Sequence, residues 1–469
     1  MDAPPHVLIL PFPAQGHVKP MLTLAELLCH AGLHVTFINT DHNHHNLRRS
    51  SSAPRPHRLR FASIPGVHRP NITDLFFSVM DNFKPKFRDL VVSMGGPPPT
   101  CIIADGIMAV GAVEVGEERG IPVICFRTQS ACSAWTYLHL TKLIEDGEIP
   151  FSGETMDLPI TSIPGLENLF RRRDLPSICR IGDLQNPIFQ FFVTQTSAMT
   201  RASALILHTF QNLEAPIIAK LGAIFPTIYP IGPLHALLKA QITDHPAPSD
   251  SGSLIPQDRS CLTWLDSQPS RSVVYVSFGS LVKLTRGQFL EFLYGLVNGG
   301  KPFLWVVRSD LVLEEDRVDE TPEELMVATR ERGCLVDWAP QEEVLAHWAV
   351  GGFLTHSGWN STVESILAGV PMICWPQIAD QQVNSRCASE LWRIGVDMKD
   401  TCDRSTVEKM VRDLMEDKRE EIMKSTAEIS RMARDSVEKG GSSHSALEKL
   451  IEDIKSMKFG GHVSAKSDK

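Results

Sequence analysis

Two sets of residues combine types and spacing that chemistry can use. The larger is a single run from Trp338 to Gln381, WAPQEEVLAHWAVGGFLTHSGWNSTVESILAGVPMICWPQIADQ. In it the apolar GGFL feeds a turn of His356, Ser357, Gly358, Asn360, Ser361 and Thr362, then a helical VESILAG. A strand running through such a turn into a helix builds an anion site. The first backbone N–H groups of the helix lack internal partners, and its dipole places partial positive charge there. Ser357, Gly358 and Ser361 are small enough for a phosphate to approach the backbone, and His356 and Asn360 add side-chain donors. Upstream, Trp338 offers a flat face on which a base can stack. Downstream, Asp380 and Gln381 follow a second apolar strand and suit the hydroxyls of a sugar. Base, phosphate and sugar groups in one run describe a nucleotide-sugar site.

The second set is His17 and Asp105. His17 follows the strand-like HVLILP, and Asp105 ends the strand-like CIIA. In a parallel sheet both fall at the carboxyl edge, where ligands bind, so the two can meet. An Asp that accepts from one imidazole nitrogen fixes the tautomer and raises the basicity of the other, which makes a general base. The plainer alternative is a helix-capping His and a turn Asp.

The elements that must position these residues alternate. Strands are expected at His6–Pro11, His34–Asn39, Arg58–Ile64, Cys101–Ala104, Pro122–Phe126, Ala204–His208 and 226–231, with helices between most of them. After His34–Asn39 the polar DHNHHNLRRSSS reads as a loop. A segment rich in Pro, Ser and Asp, 236–258, reads as a linker. Alternation resumes with a helix holding CLTWLD and the strand VVYVSF, and ends in charged helices and a disordered tail from 458. The pattern is α/β: two doubly wound parallel sheets, in domains 1–235 and 259–441, with a last helix from 442.

Bulk composition narrows the function. A chain of 469 residues, 43% hydrophobic and 22% charged, is an ordinary globular protein with room for two cores. Its net charge of −9 argues against nucleic acid or an anionic membrane as partner. Any phosphate is therefore held by local geometry. Ten scattered cysteines without a C-x-x-C pair fit a reducing cytosol. No signal peptide or transmembrane run is legible, and the expected state is a cytoplasmic monomer.

The Trp338–Gln381 run resembles the C-terminal signature box of the plant UDP-dependent glycosyltransferases, and FPAQGH, SFGS and the WLD helix match that family at their expected places. The resemblance implies the GT-B fold of two facing Rossmann-like halves, the first for acceptor and the second for donor, with the last helix crossing back to the first. It implies that Trp338 stacks on uracil and that the Ala339 backbone bonds the base edge. Gln341 and Glu364 would take the ribose, and His356, Asn360 and Ser361 the diphosphate, with Gly358 in the same turn and Ser280 nearby. Trp359, Asp380 and Gln381 would address the hexose; Gln at the last position is usual for glucose users. His17 would be the base and Asp105 its partner. Ile378 departs from the residue more usual there, which concerns packing near the sugar. UDP-glucose would be co-substrate, with no further cofactor, and no D-x-D motif calls for a metal. The acceptor implied is a small lipophilic metabolite, a terpenoid such as an iridoid, or a flavonoid or other phenolic.

Other features carry less. His42–His45 could bind metal, but a solvated loop is the simpler reading. Arg171–Asp174 (RRRD) is expected as a solvated loop or domain contact. Phe12, Ile107, Met108 and Trp135 are expected either to line an acceptor pocket or to be plain core. A nicotinamide enzyme would share the fold, but no G-x-G-x-x-G follows a strand. A non-catalytic nucleotide-sugar binder would have no use for His17 with Asp105.

Overall fold

The computed structural model describes residues 4–50, 55–67, 72–94, 99–241, 253–313 and 323–457. The tail from 458, residues 242–252 of the linker and the acidic stretch 314–322 lie outside them.

Seven strands form the first sheet: β1 (His6–Leu10), β2 (His34–Thr40), β3 (Leu59–Ile64), β4 (Cys101–Asp105), β5 (Val123–Arg127), β6 (Ala204–Leu207) and β7 (Ile228–Pro230). Six form the second: β8 (Val273–Ser277), β9 (Phe303–Val306), β10 (Gly333–Val336), β11 (Val350–Thr355), β12 (Met372–Cys374) and β13 (Gly395–Asp397). The orders are 3-2-1-4-5-6-7 and 10-9-8-11-12-13. Every pairing is parallel. Helices cover both faces, which is why β1, β4 and β8 read as unbroken apolar runs and are almost wholly buried.

The strand order reverses between β1 and β4 in one sheet and between β8 and β11 in the other. A crevice opens at such switch points, at the carboxyl ends of the strands. Register places Leu10 beside Ala104 and Ser277 beside Thr355, so Asp105 at the end of β4 and His17, Ser280 and His356 beyond their strands all lie at the two crevices. One apolar cluster runs from Leu10 and Phe12 of the first half to Tyr275, Trp359 and Val383 of the second. The C-terminal helix Ser442–Ser456 buries Leu447, Leu450 and Ile454 with Val7, Ile9 and Tyr229, on the first sheet.

Two expectations change. The DHNHH segment is not a loop: Asp41–Ser50 is a helix, with Asp41 in its first turn. The expected linker opens as the helix Leu234–Gln241, whose Leu237 and Leu238 are buried in the first core.

Candidate active site

The helix Gln15–His30 starts the first site. Met21, Leu24, Leu27 and Leu28 bury its inner face and fix its direction, leaving His17 in the first turn facing the crevice. His17 Nδ1 lies 2.6 Å from Asp105 Oδ2, and the hydroxyl of Thr128 is 3.0 Å from the same nitrogen. Asp105 is itself pinned, its Oδ1 accepting from Ile107 N at 3.2 Å and its Oδ2 from Phe12 N at 3.4 Å. The carboxylate is buried while His17 remains partly exposed. With Nδ1 bound, Nε2 is the nitrogen left for a ligand proton. Phe12 sets its edge to the imidazole at 5.3 Å between centroids.

Pro20 sits inside the same helix. A proline has no N–H for the carbonyl four residues back, which frees Gly16 O. Asn360 of the second half donates its amide to that carbonyl at 2.8 Å.

One cleft between the halves is lined by His17, Ser280, Trp338, Ala339, Gln341, His356, Gly358, Trp359, Asn360, Ser361, Glu364, Asp380 and Gln381. Asp105 stands behind His17 and does not line it. The helix Trp359–Ala368 begins at Gly358 with no side-chain cap, so its first N–H groups face the cleft. The His356 ring is clamped between two glycines: a Cβ on Gly279 would fall 2.5 Å from Nε2, and one on Gly358 2.4 Å. Burial pushes the His356 pKa down to about 4, so the ring is neutral. Gly279 takes a left-handed φ of 67°, and the buried Arg308 holds its turn by donating to Gly279 O and, at 2.9 Å, to Val282 O. Gln341 donates to Ser361 Oγ at 2.9 Å and to Glu364 Oε2 at 2.7 Å, and accepts from Tyr275 at 3.2 Å.

Asp380 Oδ2 accepts from Asn384 Nδ2 at 2.9 Å, and burial raises its pKa against the pull of that bond. Gln381 Oε1 accepts from the backbone of Gln377 and Ile378, both at 2.9 Å, which leaves its NH₂ as the side-chain donor. Trp359 lines the cleft, with its side chain committed elsewhere. Its indole N–H is spent on His208 O at 2.7 Å and its ring is buried beside Trp392. With the indole so held, the donor left to Trp359 is its backbone N–H, the first of the helix. Phe12, Ile107, Met108 and Trp135 are all buried core, and none lines the cleft. Arg173 of the RRRD segment pairs with Asp400 at 3.0 Å, a contact between the halves. Among the described residues no three His, Cys, Asp or Glu side chains converge as a metal site, His42–His45 included.

The model of the family described as UDP-glucoronosyl and UDP-glucosyl transferase matches residues 182–436. A 7-deoxyloganetic acid glucosyl transferase of Catharanthus roseus is 47% identical, over 97% of this chain and 98% of its own. The chain belongs to the plant UDP-glycosyltransferase family. Among its solved relatives, Os79 of O. sativa in complex with UDP aligns with a TM-score of 0.81 at 27% identity, over 96% of this chain and 100% of that one. UGT71G1 of Medicago truncatula, complexed with UDP-glucose, gives a TM-score of 0.80 at 26% identity, over 96% and 98% of the two chains. The fold is GT-B.

Several cleft residues of this transferase were not singled out from its sequence. Thr128 and Gln129 follow β5, and Lys19 lies two residues past His17. Asn384, fully buried, bonds Asp380 and Ser357 O while its oxygen takes a bond from Ser130 at 3.0 Å. Only Lys19 left a signal, a cation in an otherwise apolar helical run.

Proposed function

We propose that this glycosyltransferase moves glucose from UDP-glucose to an oxygen of a small lipophilic terpenoid of the iridoid class, by one in-line displacement that inverts the anomeric carbon. The observation that carries this reading is the His17–Asp105 pair opening onto the cleft that also holds the nucleotide-sugar residues. His17 Nε2 takes the acceptor proton as the acceptor oxygen bonds to the anomeric carbon. The bond from that carbon to the β-phosphate oxygen breaks, and UDP leaves with the electron pair. Trp338 stacks on uracil, Ala339 bonds its edge, and Gln341 with Glu364 addresses the ribose. The diphosphate lies on the helix N-terminus with His356, Asn360 and Ser361, and Ser280 flanks it. Asp380 and the Gln381 amide bind the hexose. The working form is a cytoplasmic monomer that needs no metal.

The acceptor class rests on relatives. Two 7-deoxyloganetic acid glucosyltransferases and a 7-deoxyloganetin glucosyltransferase of Catharanthus roseus are 47%, 47% and 39% identical. A flavonoid acceptor is the second reading, because a myricetin 3-O-rhamnoside 1,2-glucosyltransferase is 43% identical. The test is a panel of iridoid aglycones and flavonoids with UDP-glucose, UDP-galactose and UDP-glucuronate, read by mass spectrometry and by NMR of the anomeric proton. The expected product is a β-glucoside of an iridoid, fastest from UDP-glucose. An α-glucoside, or a preference for glucuronate, would overturn the reading.

A further inference from the structure

The helix that carries the base also carries Lys19, and this lysine reaches into the other half of the molecule. Its ammonium lies 2.7 Å from Glu364 Oε1 and 2.8 Å from Glu342 Oε1. Glu342 takes a second cation, Lys239, at 3.1 Å. Lys19 and both carboxylates are largely withdrawn from water, and the two carboxylates pull the lysine pKa up against the cost of burial. The other oxygen of Glu364 takes the Gln341 amide. Glu364 is thus held at both oxygens, by Lys19 from the acceptor half and by Gln341 from the donor half.

We infer that Lys19 is a positioning residue for the donor. It holds one Glu364 oxygen so that the carboxylate stays aimed at the ribose, and ties that carboxylate to the turn bearing His17. Lys19 lines the same cleft as Glu364 and Gln341. Without its charge Glu342 still has Lys239, but the desolvated Glu364 faces that carboxylate with only the Gln341 amide to hold it, and is pushed out of place. A displaced Glu364 is a poorer acceptor for ribose hydroxyls. The segment 16–19 is moreover fastened twice to donor-side residues, at Gly16 O by Asn360 and at Lys19 by Glu364. Filling of the nucleotide site and placement of the base are therefore mechanically linked.

This inference rests on the proposed role of Glu364 at the ribose, and the experiment separates the two. Calorimetry would measure UDP and 2′,3′-dideoxyuridine diphosphate against the wild type, Lys19→Met, Lys19→Arg and Glu364→Ala, with melting temperatures as a check on folding. Lys19→Met is expected to weaken UDP by about ten- to a hundredfold, the worth of a hydrogen bond to a charged group. It should leave the dideoxy analogue within about threefold, and Lys19→Arg should recover most of the UDP affinity. KM for UDP-glucose should rise more than kcat falls. Equal weakening of both nucleotides, or none, would overturn the role of Lys19. A Glu364→Ala variant that binds both nucleotides like the wild type would instead remove Glu364 from the ribose. Should Lys19→Met not fold, Lys19→Gln and the Arg rescue carry the same comparison.

Discussion

Replacing Asp105 by Asn tests the dyad most directly, because the structure says what the new amide would meet. One carboxylate oxygen accepts from Ile107 N and the other faces His17 Nδ1 at 2.6 Å. If the amide keeps its oxygen on Ile107, its NH₂ donates to Nδ1, and the ring must carry its proton on Nε2, where the acceptor needs a lone pair. If it turns over, the tautomer survives but the NH₂ confronts the Ile107 N–H. Either way the carboxylate charge is gone from beside the imidazolium that forms in the transition state. A unit charge at about 4 Å contributes ~4 kcal/mol at an effective dielectric near 20, or about 10³ in rate. The expected fall in kcat is therefore about 10²–10³ on an alcohol acceptor, with UDP affinity unchanged. Asp105→Ala should be no worse, since Thr128 at 3.0 Å remains to accept from Nδ1, and Asp105→Ala with Thr128→Val should be worse than either. The assay is single-turnover glucoside formation at saturating donor, repeated with a pre-ionised carboxylate acceptor that needs no base. A kcat within about threefold of wild type, or an equal loss on both acceptors, would refute the base assignment.

Four further outcomes are expected. Trp338→Ala should weaken UDP by about 1–3 kcal/mol, the scale of base–aromatic stacking, as read by calorimetry. Gly358→Ala would set a Cβ 2.4 Å from the clamped His356 Nε2, so it should raise KM for UDP-glucose at least about tenfold and lower the melting temperature as well, by an overpacking cost of about 1–3 kcal/mol. Exhaustive chelation should leave turnover intact, and magnesium should restore nothing. Burial pushes the Glu26 carboxyl up to about 7 despite the pull of Arg55. A raised acid pKa means its contribution to stability is full below about 4.5 and lost as pH rises through about 7. Glu26→Gln should then be near neutral at pH 5 and stabilise by about 1–3 kcal/mol at pH 8, seen as a higher melting temperature at pH 8 only.

The donor cleft was legible in the sequence because its residues sit in one run, where a strand, a turn and a helix order them locally. The dyad was legible for another reason: in a parallel sheet any two strand ends share an edge, so His17 and Asp105 could be paired without knowing the strand order. Lys19 with Glu364 was hidden, since their meeting depends on how two halves face one another across 345 positions. The fate of the Trp359 indole was hidden likewise, because its partner His208 O belongs to the first half. The helix at Asp41–Ser50 escaped because a surface helix without an apolar stripe has no periodicity to read. The start of the helix Leu234–Gln241 was obscured by the Pro- and Ser-rich residues that follow it.

The loop that precedes Asp380 is built by both halves. Ser177 N donates to Ala379 O at 2.8 Å, and Ala379 N donates to Ser177 Oγ at 2.8 Å. This two-way bond holds Ala379 at a left-handed φ of 58°, a conformation an L-residue adopts only under constraint. The proposed uracil contacts, Trp338 and Ala339, thus come from one half of the chain, whereas the backbone that carries Asp380 and Gln381 is held by the pair. In a chimaera that exchanged C-terminal halves between two such enzymes, the preference for uracil would travel with the transplanted half. The preference among hexoses would travel only if the Ser177 side of the loop came with it.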